Sequence, residues 1–421
     1  MKRRNLILGG AAMAGMAAAR AAAAPVLSAA NYGLTPRLAA RRNGWIEVDA
    51  AAFEANVATL RAAIGRVRLC AVMKADAYGN GIALLMPSVI KLGITDVAIT
   101  SNDEARVARA LDYRGRLLRI RTATPDEMDD GLRFGIEELI GNPDAAAGLA
   151  RLARGRKLRV HLALNSGGMS RNGLELSTPY GKADAQALLS HPSLHVVGAM
   201  THYPSEDADD ILGQLNRFNA DLAWLRGAGL IGPSIIRHTA NTFATLQHPA
   251  TRLDMVRVGG ALYGDPGSVK TTDYRLVPAI KSQVAAVGHF PAGQSVNYDR
   301  IFRLDRESWL ANIPIGYSDG IRRGLSHANR DAFPAEAKNH SAMLIRGEKF
   351  PIVGRVTMNT LMIDVTGAQD RIRIGDEVVL FGSQGGQTIN QAEFEANSSA
   401  YAPEMLAMLG ATMPKVLKPR H

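Results

Sequence analysis

Short apolar runs alternate with amphipathic stretches along the first two thirds of the chain. After a Pro- and Gly-bearing linker near Tyr32–Arg42, Trp45–Val48 reads as a strand, and Ala50–Ile64 carries apolar residues at helical spacing. Strand-length runs follow at Leu69–Met73, Asp96–Thr100, Leu117–Arg121, Glu138–Gly141, Arg159–Leu164, His195–Thr201, Ser234–Thr239 and Asp254–Val258. Between them lie helical candidates such as Asn102–Tyr113, Pro143–Arg154, Asp184–Ser190 and Asp207–Ala228. Near-continuous apolar strands separated by helices predict a parallel sheet covered on its outer face. Eight such units suit an α/β fold of the (β/α)8, TIM-barrel type, expected over residues 50–275. An open doubly wound sheet is the competitor, but no G-x-G-x-x-G follows the first strand.

From Ala279 onward the pattern turns β-rich, with runs at Ile280–His289, Ser308–Ile315, Ala342–Ile345, Phe350–Val356, Leu361–Val365 and Glu377–Phe381. Helix returns only at Asn390–Leu409. A mostly β C-terminal domain is therefore expected over residues 276–421, with the boundary near Tyr274–Pro278. Residues 31–49 read as a linker plus a strand that pairs into that domain.

Composition fits an ordinary globular protein: of 421 residues, 47% are hydrophobic and 21% charged. Aromatics at 5% are too sparse for stacked-ring nucleic-acid platforms, so no nucleic-acid partner is expected. The first thirty residues stand apart. Met1-Lys-Arg-Arg4 is basic, Leu6–Ala19 is uncharged and apolar, and Ala21–Ala24 offers A-x-A cleavage sites. This is the pattern of a signal peptide, too short to span a bilayer, so the mature protein is expected to carry no membrane span. Arg3-Arg4 followed by Asn5-Leu6-Ile7-Leu8 looks like a twin-arginine signal, with a general secretory peptide as the alternative. Either route predicts a periplasmic protein in a diderm bacterium. The net charge is +10, four of it from Lys2, Arg3, Arg4 and Arg20, and the remaining +6 is scattered over helix faces. Cys70 is the only cysteine, which rules out an internal disulfide and reads as a core residue.

If the strands are right, their C-terminal ends bring Lys74, Arg121, Asn165, His202, Thr239–Thr242, Arg257 and Gly259-Gly260 to one mouth. A lysine there is either a snorkelling surface group or an amine facing a pocket, where burial favours the free base that attacks carbonyls. Small residues after strands 7 and 8, here Asn241-Thr242 and Gly259-Gly260, suit a phosphate. Pyridoxal 5'-phosphate has both handles, an aldehyde and a phosphate. Arg257 would then meet its pyridine nitrogen or, equally, form a salt bridge inside the barrel.

The segment Val72-Met-Lys-Ala-Asp-Ala-Tyr-Gly-Asn-Gly81 resembles the cofactor-lysine motif of the alanine racemase family, fold type III pyridoxal phosphate enzymes. The likeness extends through Thr201-His-Tyr203, His238-Thr-Ala-Asn241, Arg257-Val-Gly-Gly-Ala-Leu-Tyr-Gly264, Ile313-Pro-Ile-Gly-Tyr-Ser-Asp-Gly320 and Val353-Gly-Arg-Val-Thr-Met-Asn359. The resemblance implies that Lys74 is the Schiff-base lysine and one of two bases. It implies that Tyr78, Thr242, Gly259 and Gly260 hold the phosphate, His202 stacks on the ring, Arg171 reaches the phenolate and the substrate, and Arg257 meets the pyridine nitrogen. The family's second base is a tyrosine from the partner subunit, nineteen residues before Tyr317, which gives Tyr298 and implies a homodimer with composite sites. Tyr317, Met358 and Asn359 correspond to the substrate entrance and carboxylate site. Tyr401 could add a phosphate contact.

One departure bears on specificity. Where ordinary members carry a lysine, often carbamylated, this chain has Ala163 in the run His161-Leu-Ala-Leu-Asn-Ser-Gly-Gly-Met-Ser-Arg-Asn172. That run and Arg119-Ile-Arg121-Thr-Ala-Thr124 resemble the exported broad-specificity amino-acid racemases, which act on long and basic side chains as well as alanine. The cysteine pair that often braces those enzymes near Cys70 is absent. The resemblance thus implies racemisation of amino-acid substrates by a two-base mechanism. An alanine-specific racemase is the nearest alternative. A decarboxylase of basic amino acids would need a cysteine in the β domain, and a single-barrel pyridoxal phosphate carrier would leave that domain unexplained. A barrel metal hydrolase would have to use His202, His238 and Asp254, which lack a tight ligand spacing, so no metal site is expected.

Overall fold

The computed structural model describes residues 41–329, 340–398 and 400–419. The expected signal segment and the linker up to residue 40 lie outside the described residues. The first strand, β1 (Gly44–Val48), leads into the helix Ala50–Ile64, whose bounds match the sequence pattern to the residue. Asp49 starts that helix by accepting from the Ala52 amide at 2.9 Å.

Eight parallel strands follow: β2 (Arg68–Val72), β3 (Asp96–Ile99), β4 (Arg116–Arg119), β5 (Ile136–Ile140), β6 (Leu158–Ala163), β7 (Leu194–Met200), β8 (Ile236–His238) and β9 (Met255–Val258). Their order is β8-β7-β6-β5-β4-β3-β2-β9, so consecutive strands are neighbours and the last returns beside the first. Between β8 and β9 the Asp254 amide donates to the Arg237 carbonyl and the Arg257 amide to that of Ala240, at 3.2 and 3.0 Å. The barrel is thereby nearly closed. Every residue of β3, β5 and β9 is buried, so none shows the alternation of a half-buried strand, and the charged residues they carry, Asp96, Glu137, Glu138 and Arg257, are buried as well. The βα turns are set by local chemistry. Ser101 and Glu104 form a capping box, and Thr124, Asn142 and Thr178 each cap a helix whose first residue is proline.

The C-terminal part comprises β10 (Pro278–Gln283), β11 (Ala286–Phe290), β12 (Ser295–Val296), β13 (Phe302–Arg303), β14 (Ser308–Ile313), β15 (Ala342–Ile345), β16 (Glu348–Val353), β17 (Leu361–Asp364), β18 (Glu377–Gln384), β19 (Gln387–Ile389) and β20 (Lys415–Leu417). Strand β1 lies between β10 and β20, antiparallel to the first and parallel to the second, as expected for a strand given over to this domain. Two expectations need correction. The run Ile280–His289 is two strands, because Val284 and Ala285 turn away to donate to Asp376 and Asn312, and β11 ends on the far edge beside β14. The helix expected over Asn390–Leu409 is likewise two, Gln391–Ser398 and Ala402–Thr412. Pro403 has no amide to donate, so it sits in the first turn of the second. One apolar cluster runs from Phe53, Leu60 and Ile82 through Ile46 and Ile280 to Leu344, Phe381 and Leu409, so barrel and β sheet share a core.

Candidate active site

The C-terminal strand ends of the barrel enclose a cavity of about 590 Å³. Of the residues expected at this mouth, Lys74, Tyr78, Arg121, Arg171, His202 and Thr242 line it, as do Asn241, Arg257, Gly259 and Gly260. Asn165 lines a small adjoining cleft beside Ala163.

Lys74 does not end a strand. It opens a turn in which Ala75, Asp76, Ala77 and Tyr78 all have φ between 53° and 57°. Left-handed backbone costs an L-residue about 1–2 kcal/mol, so four in succession need compensation. The Gly79 amide donates to the Ala75 carbonyl and the Gly81 amide to that of Asp76, at 2.9 and 2.8 Å. Buried Glu104 accepts from the amides of Thr100, Ser101 and Asp76 at 2.7, 3.1 and 3.2 Å. The turn places the Tyr78 ring against Tyr263, with centroids 4.9 Å apart, and Tyr263 is anchored by donating its hydroxyl to the Val72 carbonyl at 2.9 Å.

The opposite wall is built for a ligand that brings its own negative charge. Burial, then the Arg171 and Arg257 guanidinium groups, hold the Lys74 ammonium below its ordinary range, favouring a free amine. His202 is pushed down to about 3, first by burial and then by Arg257, Arg171 and Lys74, so it faces the cavity as a neutral ring. Arg257 is 4% exposed and forms no ion pair with a carboxylate among the described residues. It donates instead to the carbonyls of Thr201 and Thr239 at 2.8 and 3.2 Å and to that of His238. Burial lowers it to about 10. Arg171 belongs to a loop pinned by Asn165, which accepts from Ser170 and donates to Glu175, and by Thr201, which accepts from the Gly167 amide.

Glycine is required at the cradle. A Cβ on Gly259 would stand 2.3 Å from the Tyr78 hydroxyl, and one on Gly260 2.4 Å from the Asp265 carbonyl. Neither position has room for a side chain, and both glycines line the cavity, as phosphate sites require. An amine biased toward its free form, a side-chain-free cradle at the end of the neighbouring strand and the cationic Arg171 and Arg257 fit pyridoxal 5'-phosphate. Lys74 would hold its aldehyde carbon, and Tyr78, Thr242, Gly259 and Gly260 its phosphate.

Glu206, Asp265 and Tyr401 also line the cavity. The first two carried no sequence signal, since acidic loop residues are common. The candidates for a hydrolytic metal are otherwise engaged: Asp254 pairs with Arg237 at 2.9 Å, and His238 lies beneath Arg257.

Four expected site residues lie elsewhere. Tyr298, Tyr317, Met358 and Asn359 are on the C-terminal part and outside the lining of this cavity. Tyr317, Met358 and Asn359 form one patch, where the Ser318 amide donates to the Met358 carbonyl and Asn359 to the Ser318 hydroxyl, both at 2.9 Å. Tyr298 is 69% exposed and is flanked by Asn297, Asp299 and Arg300, all with positive φ. Asn297 donates to the Arg355 carbonyl at 2.8 Å, and Asp299 pairs with Arg355 at 2.5 Å. A strained loop held this way presents its tyrosine outward.

Fold and cavity together fit the class of (β/α)8-barrel enzymes that use pyridoxal phosphate. Comparison with known proteins narrows this class. The alanine racemase N-terminal domain family matches residues 48–266, and the alanine racemase C-terminal domain family matches residues 277–417. The chain belongs to the alanine racemase family, pyridoxal 5'-phosphate-dependent isomerases of amino acids. It is 47% identical over 410 residues to a broad specificity amino-acid racemase of Aeromonas hydrophila, covering 96% of this chain and 97% of that protein. A protein of the same description from Pseudomonas putida is 45% identical over 419 residues, covering 99% of each. A lysine racemase of Proteus mirabilis is 41% identical over 379 residues, covering 89% of each. Among solved structures, alanine racemase from Bartonella henselae with covalently bound pyridoxal phosphate superposes with a TM-score of 0.75 at 25% identity. That match covers 89% of this chain and 99% of the other.

Proposed function

We propose that this chain is an exported amino-acid racemase of broad specificity, acting as a homodimer whose active sites are shared between subunits. The observation that carries the reading is a division of parts. The cavity holds one base, Lys74, whose environment favours the free amine, whereas Tyr298 stands exposed on the C-terminal part, away from that cavity. Racemisation needs a base on each face of Cα. Tyr298 of the partner subunit supplies the second, and the exposed Tyr317, Met358 and Asn359 patch reaches across with it to bound substrate.

Pyridoxal phosphate, when bound, draws negative charge away from Cα and so makes its proton acidic. The residues of this chain do the rest. Lys74 exchanges a proton with Cα on one face and Tyr298 on the other, in an order that sets the direction of turnover. Arg171, one of the nearest cations to Lys74, holds the substrate carboxylate and helps keep the amine unprotonated. Arg257, held by carbonyl groups and by the ring nitrogens of His238 and His202, would meet the pyridine nitrogen as a donor and leave no proton there. Neutral His202 stacks on the ring without adding charge.

Broad specificity is supported by the names of the relatives, one of them a lysine racemase, and by Ala163, which keeps the wall beside Asn165 short. Export to the periplasm is supported by the Arg3-Arg4 segment and the apolar run after it. The test is D-isomer formation by purified protein from L-Lys, L-Arg, L-Met and L-Ala. Turnover of all four is expected. Turnover of L-Ala alone would overturn the broad reading, and turnover of none the racemase reading. Fractionation of cells expressing the full chain should place the protein with periplasmic markers, and recovery in the cytoplasm alone would overturn export.

A further inference from the structure

The left-handed turn that presents Lys74 and Tyr78 has a second set of contacts, all with the end of the chain. Lys415, in β20, is 2% exposed. Its Nζ lies 3.1 Å from Asp76 Oδ2 and also donates to the Gly410 carbonyl. Asp76 sits in the middle of the left-handed residues, and its other oxygen accepts from the Ile82 amide at 2.8 Å. One carboxylate thus ties the centre of the turn both to the helix that follows it and to the last strand of the protein.

The helix Ala402–Thr412 presses on the same turn. A Cβ on Gly410 would fall 2.4 Å from Gly79 Cα, and one on Gly79 would fall 2.0 Å from the Leu406 carbonyl. The two backbones meet without side chains between them. Tyr401 immediately precedes the other end of this helix and lines the cavity. A single C-terminal segment therefore reaches the cavity wall at one end and the cofactor-lysine turn at the other.

We infer that Lys415 is a positioning residue: acting through Asp76, it holds the turn in the conformation that presents Lys74 and Tyr78 to the cofactor. The inference rests on the reading of Lys74 as the cofactor lysine. Its physical basis is the cost of the turn. Alanine and tyrosine rarely adopt positive φ, and aspartate does so only as a single residue, so a conformation with four in a row survives only where surrounding groups impose it. Glu104 imposes it from the barrel side. Asp76, tethered by Lys415, imposes it from the C-terminal side. Without that tether the centre of the turn relaxes, and both the amine and the phosphate-side hydroxyl move. Docking of β20 then completes the cofactor site as well as the sheet.

The test compares four full-length proteins: wild type, Lys415→Met, Lys415→Arg, and the double variant Asp76→Asn/Lys415→Met. Affinity for pyridoxal phosphate is read from the absorption of the lysine-bound form, and thermal unfolding is read without cofactor. Lys415→Met should weaken cofactor affinity at least about tenfold, as small displacements at a built site do, and Lys415→Arg should restore most of it. The double variant removes both members of the pair, buried Lys415 and half-buried Asp76, so its thermal stability should recover while its cofactor affinity stays low. Recovery of affinity together with stability would overturn the inference, as would wild-type affinity in Lys415→Met. If Lys415→Met does not fold, the double variant decides alone. Absence of lysine-bound absorption from the wild type, or its persistence in Lys74→Ala, would instead overturn the reading of Lys74.

Discussion

Replacing Gly259 by alanine puts a number on the cradle. A Cβ there lies 2.3 Å from the Tyr78 hydroxyl and 2.8 Å from the ring carbon that bears it. Ordinary contact begins at 3.4 Å, so the ring must retreat by about 1 Å in a close-packed wall. It has little room to do so. Tyr263 stacks behind it at 4.9 Å and is tied to Val72, and the backbone of Tyr78 belongs to the left-handed turn. Overpacking of this kind costs about 1–3 kcal/mol, which is about a 5- to 150-fold loss of cofactor affinity if the strain falls on the bound state. Gly213→Ala is the control. It lies inside the exposed face of the helix Ala208–Gly227 with nothing within 4 Å of its Cβ, so it should gain up to about 1 kcal/mol of stability and leave affinity alone. Titration of cofactor-free protein with pyridoxal phosphate, followed by absorbance, measures the affinity of each variant, and chemical denaturation its stability. Affinity of Gly259→Ala within about twofold of wild type would refute the tight cradle.

Three further outcomes follow from the same geometry. Lys74 must lose its proton to bond a carbonyl, and its ammonium is held below the usual 10.5, so cofactor capture should accelerate with rising pH. The midpoint should lie below 10.5, and one at or above that value would contradict the burial argument. His202 should stay neutral until near pH 3, so its ring signal in nuclear magnetic resonance should not move between about pH 7 and 5; an ordinary titration there would place it in water. Buried Asn56 donates to the carbonyls of Leu262 and Arg275 and accepts from the Arg275 amide, at 3.1, 2.8 and 2.7 Å, bracing the exit from the barrel. Asn56→Ala should cost about 2–4 kcal/mol in chemical denaturation, since three backbone groups lose their partner, and a loss under about 0.5 kcal/mol would mean water replaces it.

The barrel was legible because burial on both faces writes itself as nearly unbroken apolar runs, as in Leu69–Val72 and Val97–Ile99. Helix starts were legible where Ser, Thr, Asp or Asn preceded the periodic stretch, as at Asp49 and Ser101. The split at Val284–Ala285 was not, because a chain that crosses a sheet keeps its β pattern while changing partners. The turn after Lys74 was hidden for a deeper reason: nothing in Ala75-Asp-Ala-Tyr78 favours four positive φ in succession, and the groups that enforce it, Glu104 and Lys415, lie far off in sequence. The cavity residues on strand ends could be placed from topology alone. Glu206 and Asp265, on loops, could not. Tyr298 was reached only through resemblance, since its exposed position on a strained loop gives a monomer no use for it.

Sharing of the site between subunits is tested most directly by mixing two inactive proteins, Lys74→Ala and Tyr298→Phe, after dissociation and reassembly. A mixed dimer holds one site with both lesions and one with neither. Random reassembly should restore about a quarter of wild-type racemase activity, because half the dimers are mixed and each has one intact site. If mixed dimers form and the mixture stays as inactive as its parents, Tyr298 does not serve the site of its partner.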